Sequence, residues 1–241
     1  MVAFDGANVV VTGGTGALGS AVVGRLRAAG AVCHVTNMVA AELAHFPHRD
    51  DAGVKVTSGL DLADEAAVKR FYAGLPPLWG SIHLAGGFAM SPVAETSAAD
   101  FTTQFQMNTV SAFLCSAAAI SAIRTRGDAG PGGAPGGRIV NVSARPALEP
   151  RLGAGMVAYT ASKAAVAALT QAIGQEVADE EIWVNAVAPS VLDTPANRSA
   201  MPKADHAKWV KPEAIAELIA FLASPDNRVT RGAVIPVYAG A

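Results

Sequence analysis

Short, almost uninterrupted apolar segments alternate with longer helical segments along nearly the whole chain. Apolar segments of strand length occur at 8–12, 31–36, 54–57, 81–85, 138–143, 182–188 and 233–238. Helical patterns separate most of them, at 18–29, 64–75, 101–124, 158–179 and 212–223. Strands that are apolar on both faces must be covered on both faces, which is typical of a parallel sheet between two layers of helices. The alternation therefore predicts a single α/β domain over residues 1–241, a doubly wound parallel sheet with helices on both faces.

Length and composition agree with one packed domain and argue against several function classes. The chain has 241 residues, of which 51% are hydrophobic and 16% charged, as in a globular protein. Its 18 Lys and Arg residues nearly balance its 20 Asp and Glu residues, so nothing favours a nucleic-acid partner. Cys33 and Cys115 form no disulfide framework and are expected to be buried thiols, and the histidines lack metal-ligand spacing. No metal site is predicted.

The N-terminus and the most apolar stretch indicate in which cellular compartment the protein is expected. The first residues lack the basic start of a signal peptide and include Asp5. The most apolar long stretch, 156–174, is interrupted by Lys163, so no transmembrane span is expected. We expect a cytoplasmic protein without a membrane partner.

Residues 9–19 combine a strand, a glycine-rich turn and the start of a helix. Glycine lets the backbone turn tightly and approach a pyrophosphate, and the following helix points its N–H groups and positive dipole end at the anion. The turn lies at the first strand–helix junction, where Rossmann-type folds bind dinucleotides. The sequence therefore predicts a Rossmann-type dinucleotide site at this turn.

Tyr159 and Lys163 are four residues apart at the start of a long Ala-rich helical stretch. Residues at that spacing share a helix face, and a nearby cation favours phenolate over phenol. The pair alone is common, but here Ser143 precedes it by 16 residues and the glycine-rich turn opens the chain. Together they indicate proton delivery to, or removal from, an oxygen during hydride transfer, with the pKa of Tyr159 lowered from about 10 by Lys163.

These features resemble the short-chain dehydrogenase/reductase family over essentially the whole chain. The family's turn reads Thr-Gly-x-x-x-Gly-x-Gly, and residues 12–19 follow it except for Ala17, which replaces the middle glycine. Further similarities, in the correct order, are Ala85-Gly86-Gly87, Asn108, Ser143, the Tyr159/Lys163 pair and residues 184–189. The chain departs from the family at His83 and Leu84, which replace two asparagines.

The resemblance implies an NAD(P)-dependent oxidoreductase that transfers hydride between nicotinamide and a carbonyl or alcohol. Tyr159 would be the general acid/base, and Lys163 would depress its pKa and hold the nicotinamide ribose. Ser143 would orient the carbonyl oxygen, and Asn108 would support a water that leads protons towards Lys163. The cofactor-binding residues implied are Gly13, Thr15, Gly16, Leu18, Gly19, Asn37, Asp61, Leu62, Ala85, Gly86, Gly87, Tyr159, Lys163, Pro189, Leu192 and Thr194.

The choice between NAD and NADP depends on the end of the second predicted strand. There, dinucleotide folds place an acidic residue that contacts the ribose hydroxyls, and this chain has Asn37. An amide does not repel a 2′-phosphate, although Met38 follows where an NADP enzyme would have an Arg, and no basic residue lies near Thr15. We expect NAD(P)(H), with a preference for NADP(H).

The segment 192–205, followed by Trp209, resembles the dihydropteridine reductase branch of the family. Those enzymes typically lack the serine found here, and Ser143 fits a carbonyl or alcohol substrate better. Two alternatives remain open: a dihydropteridine reductase-like enzyme, and a non-catalytic NAD(P)-binding sensor protein.

The surroundings of the expected site also carry predictions. The interval from Ser143 to Tyr159 is longer than usual for the family, so Arg145, Glu149 or Arg151 could line the substrate entrance. Residues 190–211 are expected to form a substrate lid. The helices at 101–124 and 158–179 resemble those that build family tetramers, which implies a homotetramer or homodimer.

Overall fold

The computed structural model describes residues 3–127 and 129–240. Seven parallel strands form one sheet in the order β3-β2-β1-β4-β5-β6-β7. Their bounds are β1 Asn8–Thr12, β2 Val32–Asn37, β3 Val54–Ser58, β4 Leu78–His83, β5 Gly137–Val142, β6 Ile182–Pro189 and β7 Val234–Val237. The predicted doubly wound, Rossmann-type α/β fold is confirmed. The largest shift is in β4, which was expected at 81–85 and instead begins where Leu78 pairs with Asn8.

Helices lie between the strands, and three of them were not predicted. The helices are α1 Ala17–Ala28, α2 Ala40–His45, α3 Glu65–Ala73, α4 Ala98–Phe105, α5 Ser111–Arg124, α6 Arg145–Leu148, α7 Val157–Glu176, α8 Pro195–Ala200 and α9 Pro212–Leu222. The unpredicted α2, α6 and α8 have six residues or fewer. A helix that short completes too few turns for an apolar face to repeat.

Two hydrophobic cores cover the two faces of the sheet. Val9 and Val11 of β1 point into the core beneath α1 and α9, whereas Val10 points into the core beneath α3, α5 and α7. This alternation follows from the two-residue period of a strand. Cys33 and Cys115 are buried in opposite cores, and burial raises the pKa of each thiol to about 12. The two thiols therefore act as small apolar side chains, as expected.

The long helix expected at 101–124 is interrupted. A π-helical turn at Gln106–Val110 separates α4 from α5 and contains Asn108. Taken together, Ala98–Arg124 spans 27 residues, and its most apolar 18-residue window has a mean hydropathy of 1.3. Length and composition alone would let it cross a membrane, and 44% of that window is buried inside the fold. The expectation that no segment spans a membrane stays a prediction.

The order of the strands creates a crevice at the carboxyl end of β1. β1 pairs with β2 on one side and with β4 on the other, so the chain leaves the sheet centre in opposite directions. The loops after β1 and β4 therefore separate to the two sides and leave an opening between them. Open α/β sheets bind ligands at such a switch point.

Candidate active site

The crevice is a cavity of about 870 Å³ between the loops that follow β1, β2, β3 and β4. The residues predicted to bind the cofactor that line it are Gly13, Thr15, Gly16, Leu18, Gly19, Asp61, Leu62, Ala85 and Gly86. Its size is in the range of small-molecule sites. Nine predicted cofactor residues therefore lie around one opening, whereas the predicted Asn37 and Gly87 do not line it.

The turn after β1 has a geometry that requires glycine at two positions. Gly13 has φ +63°, and a Cβ there would lie 2.9 Å from the Ala85 backbone nitrogen. A Cβ on Gly19 would overlap the carbonyl oxygen of Gly13. Gly16 precedes α1 and makes no side-chain cap, so the first N–H groups of α1 have no side-chain acceptor. The turn and the helix end together suit a pyrophosphate, as predicted.

Tyr159 and Lys163 both lie near the beginning of α7, on successive turns. The ring of Tyr159 is largely buried and meets Phe88 edge-on, with 4.9 Å between ring centroids. Lys163 is 7% exposed, and its Nζ donates to the Val142 carbonyl oxygen at 2.9 Å. A Cβ on Gly86, which lines the cavity, would be 3.3 Å from Nζ of Lys163. The ammonium group thus lies directly beside the crevice.

The expected effect of Lys163 on Tyr159 is not what the structure shows. Burial raises the pKa of Tyr159 to about 12 and lowers the pKa of Lys163 to about 8. Desolvation disfavours the charged form of each group, and the ammonium group is directed at the Val142 carbonyl. The prediction of a lowered pKa for Tyr159 was therefore wrong for this arrangement. The phenol keeps its proton at neutral pH, which suits a proton donor.

Ser143 lies where β5 ends, with its hydroxyl turned towards α7. Its Oγ donates to the backbone carbonyl of Lys163 at 2.8 Å, and the side chain is buried. This orientation differs from the expected one, because the hydroxyl hydrogen is already bound to the protein. The next residue, Ala144, has an extended backbone, is buried and has no polar side chain. A direct contact of Ser143 with a substrate oxygen stays a prediction.

Asn108 is held in the π-helical turn by three hydrogen bonds. Its Oδ1 accepts from the Gly87 N–H at 3.0 Å, and its Nδ2 donates to the Gly87 carbonyl at 3.0 Å and to Ser162 Oγ at 3.1 Å. The side chain is buried and its amide is bound to the protein, and its support of a water stays a prediction. By fixing Gly87, Asn108 also fixes the neighbouring Gly86 beside Lys163.

His83, which replaces a family asparagine, packs inside the fold. Its ring nitrogens contact Ser81 Oγ and Asn141 Oδ1, each at 2.8 Å. Complete burial lowers the pKa of His83 to about 4, so the ring is neutral at physiological pH. The neutral ring links β4 to β5 below the crevice.

The remaining predicted residues lie after β6. Pro189 ends that strand, Leu192 pairs with Val210 in an isolated bridge, and Thr194 caps α8 by accepting the Asn197 N–H at 3.2 Å. The bridge brings together the two ends of the segment expected to be a lid, as in a compact surface loop. Closure of this segment over a ligand stays a prediction.

Arg145, expected near the substrate entrance, is bound at the protein surface. It forms an ion pair with Glu149 at 3.2 Å and lies over the ring of Tyr238 at 4.6 Å. These contacts hold α6 against the region after β7. Whether Arg145 contacts a substrate stays a prediction.

Several residues that line the crevice were missed by the sequence analysis, among them a carboxylate that contacts the glycine turn. Glu42 of α2 lines the cavity, and its Oε2 accepts from Thr15 Oγ1 at 3.0 Å. Asn37, the residue expected to contact the cofactor ribose, instead donates from Nδ2 to Thr15 Oγ1 at 2.7 Å. An acidic residue five positions after Asn37 was the available signal, but only the path of the chain after β2 brings it to the turn.

Comparison with known proteins agrees with this architecture. The sequence pattern of the family described as short chain dehydrogenase matches residues 7–205. Galactitol 2-dehydrogenase from Rhizobium johnstonii is 33% identical over 98% of this chain and 95% of its own length. L-xylulose reductase from Bos taurus is 29% identical over 98% of this chain and 96% of its own.

A solved structure supports the same assignment. A protein described as a short chain dehydrogenase/reductase family protein superimposes with a TM-score of 0.84 at 27% identity, covering 98% of this chain and 97% of the other. The crevice, the glycine turn and the Tyr159/Lys163 pair lie within the matched residues 7–205. The chain belongs to the short-chain dehydrogenase/reductase family of NAD(P)-dependent oxidoreductases.

Proposed function

We propose that this protein interconverts a carbonyl compound and its alcohol, with Tyr159 exchanging the proton at the reacting oxygen. The observation that carries the proposal is the position of Lys163 Nζ beside Gly86, at the edge of the crevice. Lys163 and Tyr159 are four residues apart on α7, so the phenol belongs to the same end of the crevice. A proton donor beside a dinucleotide crevice is what carbonyl reduction requires.

The residues present fit a nicotinamide dinucleotide. The uncapped start of α1 and the close turn at Gly13 offer N–H groups to a pyrophosphate, and Asp61 lies where the adenosine half would be. When bound, the cofactor supplies the hydride for reduction or accepts it in oxidation. Tyr159, protonated at neutral pH, donates its proton to the substrate oxygen in reduction. Lys163 lies one helical turn from Tyr159, and its ammonium group bonds to the Val142 carbonyl beside the crevice.

The loop beside Tyr159 carries exposed apolar side chains. Phe88 is 60% exposed next to Tyr159, and Met90 is also exposed. Backbone pairing between Ser91 and Gly155 holds this loop beside the start of α7. Large exposed apolar side chains at a reaction centre favour a substrate with apolar or aromatic surface next to its carbonyl group.

The relatives favour carbonyl and alcohol chemistry over the two alternatives. Galactitol 2-dehydrogenase and L-xylulose reductase are named for reactions at a secondary alcohol or a ketone. Neither name concerns a pterin or a sensor. Those two names concern a polyol and a sugar, whereas the exposed Phe88 and Met90 favour a carbonyl compound with an apolar surface.

Hydride transfer to a panel of carbonyl compounds tests the proposal. The panel contains aromatic and aliphatic ketones and aldehydes, sugars and quinonoid dihydropterin, each with deuterium-labelled NADH and NADPH. We expect deuterium in the alcohol product of at least one apolar carbonyl. Reduction of quinonoid dihydropterin alone would replace carbonyl reduction with pterin reduction. Nucleotide binding without any turnover would support the sensor.

We further propose that the protein forms a homodimer or homotetramer. Phe101 of α4, Phe113 of α5 and Val157 of α7 are large apolar side chains that are at least 40% exposed on neighbouring helices. Exposed apolar surface of this kind is covered in many oligomers. Light scattering should give a mass of two or four chains, and a clean monomer would contradict the proposal.

A further inference from the structure

The carboxylate of Glu42 lies at the mouth of the glycine turn. Its two oxygens are 3.7 and 3.9 Å from the position that a Cβ on Gly16 would occupy. Gly16 immediately precedes α1, whose free N–H groups form the predicted phosphate site. A negative charge therefore stands at the nucleotide end of the crevice, although β2 itself ends in an uncharged asparagine.

A row of hydrogen bonds from Asn37 through Thr15 holds the Glu42 carboxylate, and its donors and acceptors can be assigned in only one way. Asn37 is buried, and its Nδ2 can only donate, so Thr15 Oγ1 accepts from it at 2.7 Å. The single hydroxyl hydrogen of Thr15 is then available for Glu42, which it meets at 3.0 Å. Asn37 also donates to the Val39 carbonyl at 2.9 Å and so fixes the chain that leads into α2. The row fixes the Glu42 carboxylate beside the glycine turn.

No basic side chain among the described residues lines the cavity next to this charge. The described residues that line the cavity include the carboxylates of Glu42, Asp61 and Asp64 but no Lys, Arg or His. The N–H groups of α1 can serve one pyrophosphate, which NAD and NADP share. The additional 2′-phosphate of NADP would bring a second anionic group of about −1.5 to −2 charges to a place with no basic side chain.

We infer that Glu42 selects NAD(H) over NADP(H), an inference that rests on the proposed use of a nicotinamide dinucleotide. A ribose 2′-hydroxyl can donate to a carboxylate, whereas a 2′-phosphate is repelled by it. Asn37 thus does not mark an NADP site, because its amide is committed to Thr15 and Val39. The selecting carboxylate comes from α2, five residues further along the chain, and replaces the expected preference for NADP(H).

Equilibrium binding of NADH and NADPH without substrate tests this inference. Calorimetry on the wild type should give an affinity for NADH that is roughly tenfold to a hundredfold higher than the affinity for NADPH. This is the range expected for one nearby unscreened like charge. Glu42→Gln should reduce that ratio about tenfold, mainly by strengthening NADPH binding, and Glu42→Lys should reverse the preference. Glu65→Gln is the matched control, since Glu65 pairs with Lys69 outside the crevice and its loss should leave the ratio unchanged.

Salt provides a second readout. Raising the ionic strength should reduce the ratio of NADH affinity to NADPH affinity in the wild type. The ratio should stay nearly constant in Glu42→Gln, because salt screens the charge that this variant lacks. Equal affinities in the wild type, or an unchanged ratio in Glu42→Gln, would overturn the inference alone. Failure of both nucleotides to bind would overturn the proposed function, and the inference with it.

Discussion

The two ends of the crevice are built from different parts of the chain. At the nucleotide end, backbone geometry dominates, because Gly13 and Gly19 leave no room for a Cβ. At the catalytic end, buried polar side chains dominate, and Lys163, Ser143 and Asn108 all bond to backbone groups of other segments. The nucleotide end should therefore be sensitive to added atoms, whereas the catalytic end should be sensitive to lost polar groups.

The two ends also differ in charge. Glu42, Asp61 and Asp64 line the nucleotide end, whereas the ammonium group of Lys163 lies at the other. Substitutions of the Tyr159 and Ser143 hydroxyls at the catalytic end are expected to change the rate at a constant nucleotide affinity. Substitutions at the nucleotide end are expected to change affinity, and variants of both kinds can test the separation.

Loss of the Tyr159 hydroxyl should have the largest effect. Tyr159→Phe is expected to lower kcat for carbonyl reduction about a thousandfold, since positioned proton transfer contributes roughly 10²- to 10⁴-fold. The Kd for the reduced nucleotide should not change. Steady-state kinetics and calorimetry on the same preparation measure both quantities.

Tyr238→Phe is the matched control, because Tyr238 contacts Arg145 after β7 and does not line the crevice, so this variant should retain wild-type activity. A variant Tyr159→Phe with near-normal kcat would show that the phenol is not the proton donor. It would also contradict the proposal that the catalytic end controls the rate and the nucleotide end controls the affinity.

The burial of Lys163 should make the free energy of unfolding depend on pH. Its pKa is 10.5 when exposed and about 8 in the fold, so between these values the unfolded chain binds a proton that the folded chain lacks. Stability then rises with pH over that window. The free energy of unfolding of the wild type should increase relative to Lys163→Met by at most about 3 kcal/mol from pH 8 to 10.5. Denaturant titrations at several pH values measure it, and a difference independent of pH would contradict the burial of the ammonium group.

A methyl group added at Gly19 should weaken nucleotide binding without changing the rate of the chemical step. Gly19→Ala would push a Cβ into the Gly13 carbonyl, so the turn must shift, and overpacking of this kind costs about 1–3 kcal/mol. We expect weaker nucleotide binding and a lower melting temperature, with kcat at saturating nucleotide preserved. Gly74→Ala serves as control, because its nearest contact would be an ordinary 3.6 Å. Unchanged nucleotide affinity in Gly19→Ala would show that the close turn is dispensable.

Ser143→Ala is expected to have the smallest effect. Its hydroxyl bonds to the Lys163 carbonyl, so its removal should lower stability by about 1 kcal/mol and kcat by roughly tenfold or less. Ser116→Ala, which removes a buried hydroxyl with only a 3.4 Å contact to His83, is the control for stability. A loss of kcat as large as that of Tyr159→Phe would instead restore a direct contact between Ser143 and the substrate.

Much of the fold could be predicted because its signals are local. β1 was located at its observed bounds, and the Gly13–Gly19 turn and the Tyr159/Lys163 pair each depend on neighbours within about two helical turns. Apolar periodicity, turn-forming glycines and helix spacing act over such short distances. The order of these features along the chain was enough to predict a dinucleotide crevice.

The directions of the polar groups could not be predicted in the same way. The hydroxyl of Ser143 depends on how closely β5 approaches α7, and the amide of Asn108 depends on a loop 21 residues away. The pKa of Tyr159 depends on whether burial or a nearby cation has the larger effect, a comparison that requires distances. Each of these properties arises between segments that are far apart in sequence.

The amino-acid sequence by itself determined the alternating strands and helices, the glycine-rich turn after β1 and the Tyr159/Lys163 spacing, because backbone preferences act between near neighbours. Only the tertiary structure decided that Glu42 meets Thr15, that Ser143 faces α7 and that Lys163 is buried against β5. Hydrogen bonding and desolvation depend on which distant segments come together, and that is set by the packing of the whole sheet and its helices.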